Sequence, residues 1–287
     1  MQLVDTHCHI QSAGLIVSAS DGAPPAEKVT LEKWGKVPER TPEVIIAEAA
    51  AKNVTKMVVV GCDRPDSALA VDFVQDRSGT WASIGIHPHE AKRYAGNQVE
   101  LDAFAALAGQ PKVVAVGECG LDYYYGHSPE RDQAEVLKFQ MELALRRGLP
   151  MIFHVRDALD GFWPIFDEYA GQVGSSGSPK LRGVLHSFTD TQENLDKALE
   201  RGLYLGVNGI TTFAKDPKQL EMYRNIPLSS LLLETDAPFL TPSPYRGTIC
   251  EPYHISVIAD FLGGLRNEPV EELARATTKN AEQLFNL

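Results

Sequence analysis

Six side chains with the chemistry of metal ligands follow short apolar segments of this sequence. They are His7, His9, Glu118, His154, His186 and Asp236. Apolar, largely branched segments of this kind are typical of buried parallel strands. Neutral imidazoles and carboxylates bind divalent metal ions, and the active sites of parallel-stranded barrels lie at the carboxyl ends of the strands. The pattern therefore predicts a metal-dependent enzyme whose site lies at the mouth of a barrel.

The order His7-Cys8-His9 predicts two imidazoles on the same side of a strand. Side chains alternate along a strand, so Cys8 should point to the opposite side and pack outward. Two imidazoles on one side could hold a metal ion. The alternative is a pair of surface histidines near the start of the chain.

The other four candidates each have a simpler explanation when considered alone. Glu118 follows the apolar residues 113–117, and a carboxylate in that setting is costly unless it is paired or bound to a cation. It could instead be a salt-bridged loop residue. His154 and His186 could bond to neighbouring backbone, and Asp236 could be a turn residue. The occurrence of all six in one chain favours the metal interpretation.

Apolar segments alternate with amphipathic ones and predict eight strands separated by helices. The predicted strands lie near residues 2–6, 56–60, 80–85, 112–117, 150–154, 182–186, 203–207 and 231–235. The clearest predicted helix spans residues 129–147, with Ser128 as its cap, Pro129 at its first position and Gly148 at its end. A second helix is predicted at residues 191–201.

Eight strand–helix units favour a single, slightly irregular (β/α)8 TIM barrel over residues 1–287. An open doubly wound sheet would need fewer strands and usually a glycine-rich phosphate turn, and the sequence contains no such pattern. Residues 11–42 are predicted to form a long irregular loop after the first strand, where loops commonly shape active sites. Residues 174–179 are predicted to form a flexible link.

The composition argues against a protein that coats nucleic acid through a basic surface. Of 287 residues, 44% are hydrophobic and 23% charged, and the formal net charge is −11. A phosphodiester substrate would therefore need bound metal ions and local arginines for positive potential. The four cysteines form no Cys-x-x-Cys pair, and no apolar run is long enough to span a bilayer. Because the first residues also lack the pattern of a signal peptide, we expect a cytoplasmic protein.

The segments around the candidate residues resemble the TatD family of metal-dependent hydrolases. The matching segments occur in the family's order and span nearly the whole chain: Asp5-Thr6-His7-Cys8-His9, Gly85-Ile86-His87-Pro88-His89, Gly117-Glu118-Cys119-Gly120-Leu121-Asp122-Tyr123, His154-Val155-Arg156, His186-Ser187-Phe188 and Glu234-Thr235-Asp236-Ala237-Pro238. The resemblance implies a TIM-like barrel, a centre of two divalent ions (Mg²⁺, Mn²⁺ or Zn²⁺) and deoxyribonuclease activity, including 3′-to-5′ exonuclease action.

The resemblance also implies a role for each matching residue. One ion would be held by His7, His9, Glu118 and Asp236, and the other by Glu118, His154 and His186. Glu118 would thus be shared, and Asp236 would also accept a proton from the attacking water. His89, His127 and His254 stay outside this set.

The substrate side of the site is expected to include His87 and Arg156, which match family positions near phosphate. His87 could otherwise be a turn residue, and Arg156 an ordinary surface ion pair. The substrate would be the end of a DNA strand bound without sequence specificity by a monomer that has no contact with membranes. Nearby aromatic residues could stack on unpaired bases or simply pack loops together: Tyr123, Tyr124, Tyr125, Phe188, Phe239 and Tyr245.

Three segments depart from the family pattern and leave the substrate open. The loop after the first strand is longer than usual in the family, and two other segments differ in sequence. Residues 186–190 read His-Ser-Phe-Thr-Asp in place of His-Cys-Phe-Ser-Gly, and residues 248–252 read Thr-Ile-Cys-Glu-Pro where the family has an Arg-Asn-Glu-Pro-like segment. One alternative function is hydrolysis of a small amide or ester by the same metal centre. Another is a non-catalytic protein that keeps the metal for stability.

Overall fold

The computed structural model describes residues 2–15, 25–171 and 180–287. The strands are β1 (Leu3–Cys8), β2 (Val54–Val60), β3 (Thr80–Ile84), β4 (Val113–Asp122), β5 (Met151–Arg156), β6 (Gly183–Leu185), β7 (Tyr204–Val207) and β8 (Leu231–Leu233). The α-helices are α1 (Pro25–Trp34), α2 (Pro42–Ala51), α3 (Arg64–Gln75), α4 (Gln98–Leu107), α5 (Glu130–Arg147), α6 (Leu159–Gly171), α7 (Gln192–Glu200), α8 (Pro217–Asn225), α9 (Ile255–Arg266) and α10 (Val270–Phe285). Short 3₁₀ segments lie at Pro88–Arg93, Gly209–Thr212, Leu228–Ser230 and Pro252–His254.

The eight strands form one sheet whose order follows the sequence, from β1 to β8. The pairs β1–β2, β3–β4, β4–β5, β5–β6 and β7–β8 are all parallel. Parallel neighbours need crossover connections, and the helices between successive strands supply them. The predicted (β/α)8 TIM-barrel fold is confirmed. Among the described residues, no helix combines the length and apolar character needed to cross a membrane.

The chain divides into two compact units. The β1/β8 unit contains the described parts of Met1–Ala23, Lys28–Val59 and His186–Leu287. Its strands β1 and β8 are joined at their ends by a parallel bridge between Cys8 and Ala237. The β3–β6 unit contains the described parts of Pro24–Glu27 and Val60–Leu185.

In helix α5 of the β3–β6 unit, the spacing of the apolar residues determines which face of the helix is buried. Leu137 and Met141 lie one turn apart and are fully buried, and Gly148 ends the helix in a left-handed conformation with φ +67°. The predicted start of this helix is wrong by one residue, because the helix begins at Glu130 and Pro129, rather than Ser128, occupies the N-cap position. The Ser128 hydroxyl instead donates to the carbonyl of His89.

Two further expectations about the elements need correction. The connection after β1 is not wholly irregular, since it contains helix α1, while residues 16–24 and the predicted link at 174–179 lie outside the described part of the chain. Strands β1, β4 and β5 also extend beyond their predicted ends, so His7, Glu118 and His154 lie within strands. Strand β4 continues because its second half pairs with β5 as far as Asp122 opposite Arg156.

Candidate metal-binding clusters

The β1/β8 unit gathers three histidines around the carboxylate of Asp236. The Nε2 atoms of His7 and His9 are 3.2 Å apart and lie 3.7 and 3.4 Å from Oδ1 of Asp236. His186 stacks on His7 with ring centroids 3.6 Å apart, and its Nε2 lies 3.9 Å from the same oxygen. His7 lies in β1 and His9 one residue beyond its end, and both imidazoles lie on one side, as the sequence predicts.

Backbone contacts between the ends of β1 and β8 position this cluster. The N–H of Asp236 donates to the carbonyl of His7 at 2.8 Å, and the N–H of His9 donates to Ala237 at 2.7 Å. Asp5 is fully buried and accepts hydrogen bonds from the hydroxyl and the N–H of Thr235. Burial raises the pKa of Asp5 to about 8, although the hydrogen bonds from Thr235 act in the opposite direction.

Trp34, at the end of α1, makes a hydrogen bond to the backbone of His9. Its indole N–H donates to the carbonyl oxygen of His9 at 2.8 Å, and only 1% of the Trp34 side chain is exposed. The segment that follows β1 therefore does more than connect two elements. It fixes the backbone of one candidate ligand through a buried hydrogen bond.

His186 is oriented by a carboxylate that the sequence analysis did not single out. Oε1 of Glu234 lies 2.9 Å from Nδ1 of His186 and accepts the N–H of Ser187 at 2.6 Å. Glu234 is 1% exposed. An imidazole whose Nδ1 faces a buried carboxylate presents Nε2 on its other side, which is the arrangement that metal-binding histidines usually show.

The β3–β6 unit contains a second cluster, built around Glu118 and His154. Nδ1 of His154 lies 2.8 Å from Oε1 of Glu118, and its Nε2 lies 3.0 Å from Oδ2 of Asp122. Nε2 of His87 approaches Oε1 of Glu118 at 3.4 Å. His89 completes the group, with its Nε2 at 3.0 Å from Oδ2 of Asp122.

Close backbone packing allows β4 to carry this cluster. Gly120 has φ +154°, and a side chain there would overlap the carbonyl of His154 on β5. A side chain at Gly85 would likewise overlap the backbone of Glu118. Only glycine permits such an approach, so Gly120 allows the strands that carry Glu118 and His154 to come close, and Gly85 allows the segment after β3 to approach Glu118.

The environment sets the charge of the candidate residues. Burial would raise the pKa of Asp122, but hydrogen bonds with His154 and His89 hold it below its ordinary value. Burial also opposes ionisation of Asp236, whose pKa is nevertheless lowered by its hydrogen bond with His9 and by the neighbouring histidines. Burial lowers the pKa of His87 to about 4, so its imidazole is neutral at pH 7.

The donor atoms of each cluster fit a divalent cation. One atom from each of His7, His9 and Asp236 lies within 4.8 Å of the others, and the same holds for His87, Glu118 and His154. Imidazole nitrogens and carboxylate oxygens suit Zn²⁺ or Mn²⁺, and the carboxylates also suit Mg²⁺. In the described part of the chain, Oε2 of Glu234 is buried without a hydrogen-bond partner, so further donor capacity exists beside His186.

The structure places every predicted metal ligand in one of the two clusters. His7, His9, His186 and Asp236 lie together in the β1/β8 unit, and Glu118 and His154 lie together in the β3–β6 unit. The proposed ligand sets and the sharing of Glu118 stay predictions.

Sequence reasoning missed Asp122, Glu234 and Trp34, which hold the candidate ligands in place. Asp122 and Glu234 occur in the segments that resemble the TatD family, but a single carboxylate near a strand end is an ordinary feature. His89, which the sequence does not assign to the metal set, contacts Asp122 and not Glu118 among the described contacts.

Arg156 is exposed at the end of β5 and has no carboxylate partner in the described part of the chain. Its guanidinium lies over the rings of Tyr124 and Tyr125, at 4.2 and 4.8 Å from their centroids. The alternative of an ordinary surface ion pair is therefore not what the structure shows. Contact of Arg156 with phosphate stays a prediction.

Comparison with known proteins gives matches along the whole chain. The sequence profile of the family described as TatD related DNase matches residues 4–286. The uncharacterized metal-dependent hydrolase YabD of Bacillus subtilis is 36% identical over 245 residues, covering 85% of this chain and 92% of that protein. The 3′-5′ ssDNA/RNA exonuclease TatD of Citrobacter rodentium is 33% identical over 248 residues, covering 85% and 91%. The crystal structure of YJJV, a TatD homologue from Escherichia coli K12, has a TM-score of 0.82 at 27% identity and covers 99% of this chain and 98% of that chain.

Proposed function

The chain belongs to the TatD-related DNase family and is a metal-dependent hydrolase, and on this premise we propose that it removes nucleotides from the 3′ ends of single-stranded DNA without sequence specificity. The observation that carries the proposal is the convergence of His7, His9 and Asp236, whose donor atoms lie within 4.8 Å of one another. The relative from Citrobacter rodentium, which bears the name of a single-strand exonuclease, supports the choice of substrate.

Two divalent cations would be held by the two clusters. In the β1/β8 unit the ligands would be His7, His9 and Asp236, with His186 beside them. In the β3–β6 unit they would be Glu118 and His154. Bound divalent ions lower the pKa of water and neutralise charge on phosphate oxygens, which is the chemistry that phosphodiester hydrolysis needs.

Asp236 is the residue best placed to orient the attacking water and accept its proton. Its side chain is 17% exposed, whereas those of His7, His9 and His186 are 0%, 5% and 4% exposed. The histidines keep it ionised at neutral pH, because they lower its pKa. A carboxylate that is ionised and reachable by water can accept a proton within hydrogen-bond distance.

Positive charge for the substrate would come from few protein groups. The net charge of −11 disfavours long contacts with a phosphate backbone. Arg156 is exposed without a carboxylate partner in the described ranges, so it can donate to a phosphate. His87 is neutral at pH 7, and its Nε2 can donate a hydrogen bond to a phosphate oxygen when it is not in contact with Glu118. A strand end, which makes few such contacts, suits this charge distribution better than a long duplex.

The cytoplasmic location and the monomeric state stay predictions of the sequence.

The test is digestion of a 5′-labelled single-stranded oligonucleotide in Mg²⁺, Mn²⁺ and Zn²⁺ separately. Wild-type protein should shorten the strand stepwise from its 3′ end, and Glu118→Ala and Asp236→Asn should reduce the rate by at least about 100-fold. Asp102→Asn is the matched control, since it removes an exposed carboxylate of α4 and should leave the rate unchanged.

The outcomes separate the proposal from its alternatives. A near-normal rate in Asp236→Asn would remove Asp236 as the proton acceptor. Absence of shortening with every metal, together with hydrolysis of an uncharged ester or amide, would show that the protein is a small-molecule hydrolase.

A further inference from the structure

Two adjacent tyrosines are exposed on the loop that follows β4. Tyr124 is 58% exposed and Tyr125 is 51% exposed, although tyrosine rings usually bury most of their area. The loop is short, because α5 begins at Glu130. Rings exposed to this degree contribute little to packing, so their position calls for another explanation.

The two rings are held in place by their neighbours. The guanidinium of Arg156 covers one face of each ring, and the rings of Tyr124 and Tyr125 meet edge to face with centroids 4.8 Å apart. Tyr125 is also parallel to the ring of His127, at 5.6 Å and 10°. Gly126, with φ +61°, makes the turn that brings His127 back to Tyr125. We call Tyr124, Tyr125, His127 and Arg156 the tyrosine platform. A surface fixed in this way loses little conformational entropy when a ligand binds.

The tyrosine platform is directly connected to the second cluster. The N–H of Tyr125 donates to Oδ1 of Asp122 at 2.9 Å, and Oδ2 of Asp122 contacts both His154 and His89 at 3.0 Å. The ring of Tyr125 also meets the ring of His89 edge to face, with centroids 5.4 Å apart. One residue therefore separates the exposed rings from a predicted metal ligand, all within the β3–β6 unit.

We propose that the tyrosine platform is a stacking subsite for an unpaired nucleobase next to the phosphodiester that is cleaved. The inference rests on the proposed function, because that function places a phosphodiester at His154. Aromatic side chains bind the faces of all bases, so such a subsite is tolerant of sequence. Arg156 could contact a phosphate through its edge while its face stays on the tyrosines.

Charge gives a second reason for a subsite of this kind. A chain with net charge −11 gains little from non-specific attraction to nucleic acid, so most of its affinity must come from short-range contacts. Bases in a duplex are stacked on each other and offer no free face. The subsite would therefore select single strands without reading their sequence.

Binding of uncleavable oligonucleotides tests the inference. The probes are a fluorescent octathymidylate with phosphorothioate linkages and the same strand with abasic residues at its two 3′-terminal positions, each titrated by anisotropy in the presence of Mn²⁺. Wild-type protein should bind the base-bearing strand about tenfold more tightly or better, a factor equivalent to about 1.4 kcal/mol and within the range found for base–aromatic stacking.

Two double variants and one control test whether the tyrosine rings cause the preference for the base-bearing strand. Tyr124→Ala with Tyr125→Ala should remove the preference for the base-bearing strand, whereas Tyr124→Phe with Tyr125→Phe should keep it because the rings remain. Val99→Ala removes an exposed apolar side chain of α4, 77% exposed, and should behave as wild type. Thermal melting of each variant checks that the fold is intact.

Equal affinity of the wild-type protein for both strands would overturn the inference, as would a preference that survives in the double alanine variant. Both results could coexist with cleavage of DNA, so they leave the proposed function standing. Conversely, a base preference that depends on the tyrosines, in a protein that cleaves no DNA with any metal, would show that the rings bind a base but would refute the proposed nuclease activity and, with it, a place beside a cleaved phosphodiester.

Discussion

Replacement of Trp34 by phenylalanine should weaken metal binding, although Trp34 is not itself a candidate metal ligand. The variant keeps an aromatic ring in the same place and removes the indole N–H. That N–H donates to the carbonyl oxygen of His9 at 2.8 Å, in a region where Trp34 and His9 are 1% and 4% exposed. Because water has little access, the carbonyl would have no ready replacement for the lost donor.

The size of the effect follows from this burial. Removal of one partner of a buried hydrogen bond costs about 1–3 kcal/mol, and a lower value near 1–2 kcal/mol suits a neutral pair. In a chain of this size that loss lowers the melting temperature by about 2–6 °C. His9 should also become less well oriented, and loss of a group that orients a ligand typically weakens metal affinity by about 10- to 100-fold.

Two measurements on the variant are needed, namely thermal melting of the metal-free protein and calorimetric titration with Mn²⁺. Tyr94→Phe is a matched control, since Tyr94 is also 1% exposed and its hydroxyl accepts one hydrogen bond, from the N–H of Arg64 at 3.0 Å. Both variants should melt at a lower temperature than wild type, but only Trp34→Phe should bind Mn²⁺ more weakly. If the two variants lose stability equally and neither loses metal affinity, the hydrogen bond of Trp34 is merely structural and the reasoning is refuted.

Three more predictions follow from single contacts. Glu234→Gln should weaken Mn²⁺ binding by about 10- to 100-fold, because His186 loses the carboxylate that orients it. An unchanged Mn²⁺ affinity in calorimetric titration would contradict this prediction. Burial lowers the pKa of His254 to about 4. As the pH falls from 6.5 towards 4, the unfolded chain therefore gains a proton before the folded protein does, and about 3 kcal/mol of folding stability should be lost over that interval. Denaturant titrations should show a smaller loss in His254→Gln. Gly120→Ala should yield no stable folded protein, since the new methyl group would overlap a carbonyl oxygen of β5. Gly171→Ala, where a side chain meets no atom of the described residues within 4 Å, should fold and melt as wild type does.

The fold and the candidate ligands could be predicted because they depend on local patterns. Buried parallel strands are apolar runs, and their alternation with helices is visible along the sequence. The two-residue period of a strand was enough to place His7 and His9 on one side, and their Nε2 atoms lie 3.2 Å apart. Leu231-Leu232-Leu233 likewise forms a buried strand that ends shortly before Asp236.

The residues that support the ligands could not be predicted, because their partners are distant in sequence. Trp34 contacts the backbone of His9 across 25 positions, and Glu234 contacts Ser187 across 47 positions. The apolar run predicts that β4 ends near Gly117, but its pairing with β5 carries it on to Asp122. Pairing between strands is a tertiary effect and overrides the local signal.

The decisive measurement is the dependence of DNA hydrolysis on added metal. Chelator-treated wild-type protein would be titrated with Mn²⁺, and the initial rate of 3′ shortening of a 5′-labelled single strand would be measured at each addition. The rate should be negligible without metal and should rise to a plateau as the clusters of His7 and Glu118 fill. Hydrolysis at full rate in the metal-free protein, or no hydrolysis after two equivalents of metal have bound, would contradict metal-dependent cleavage of DNA.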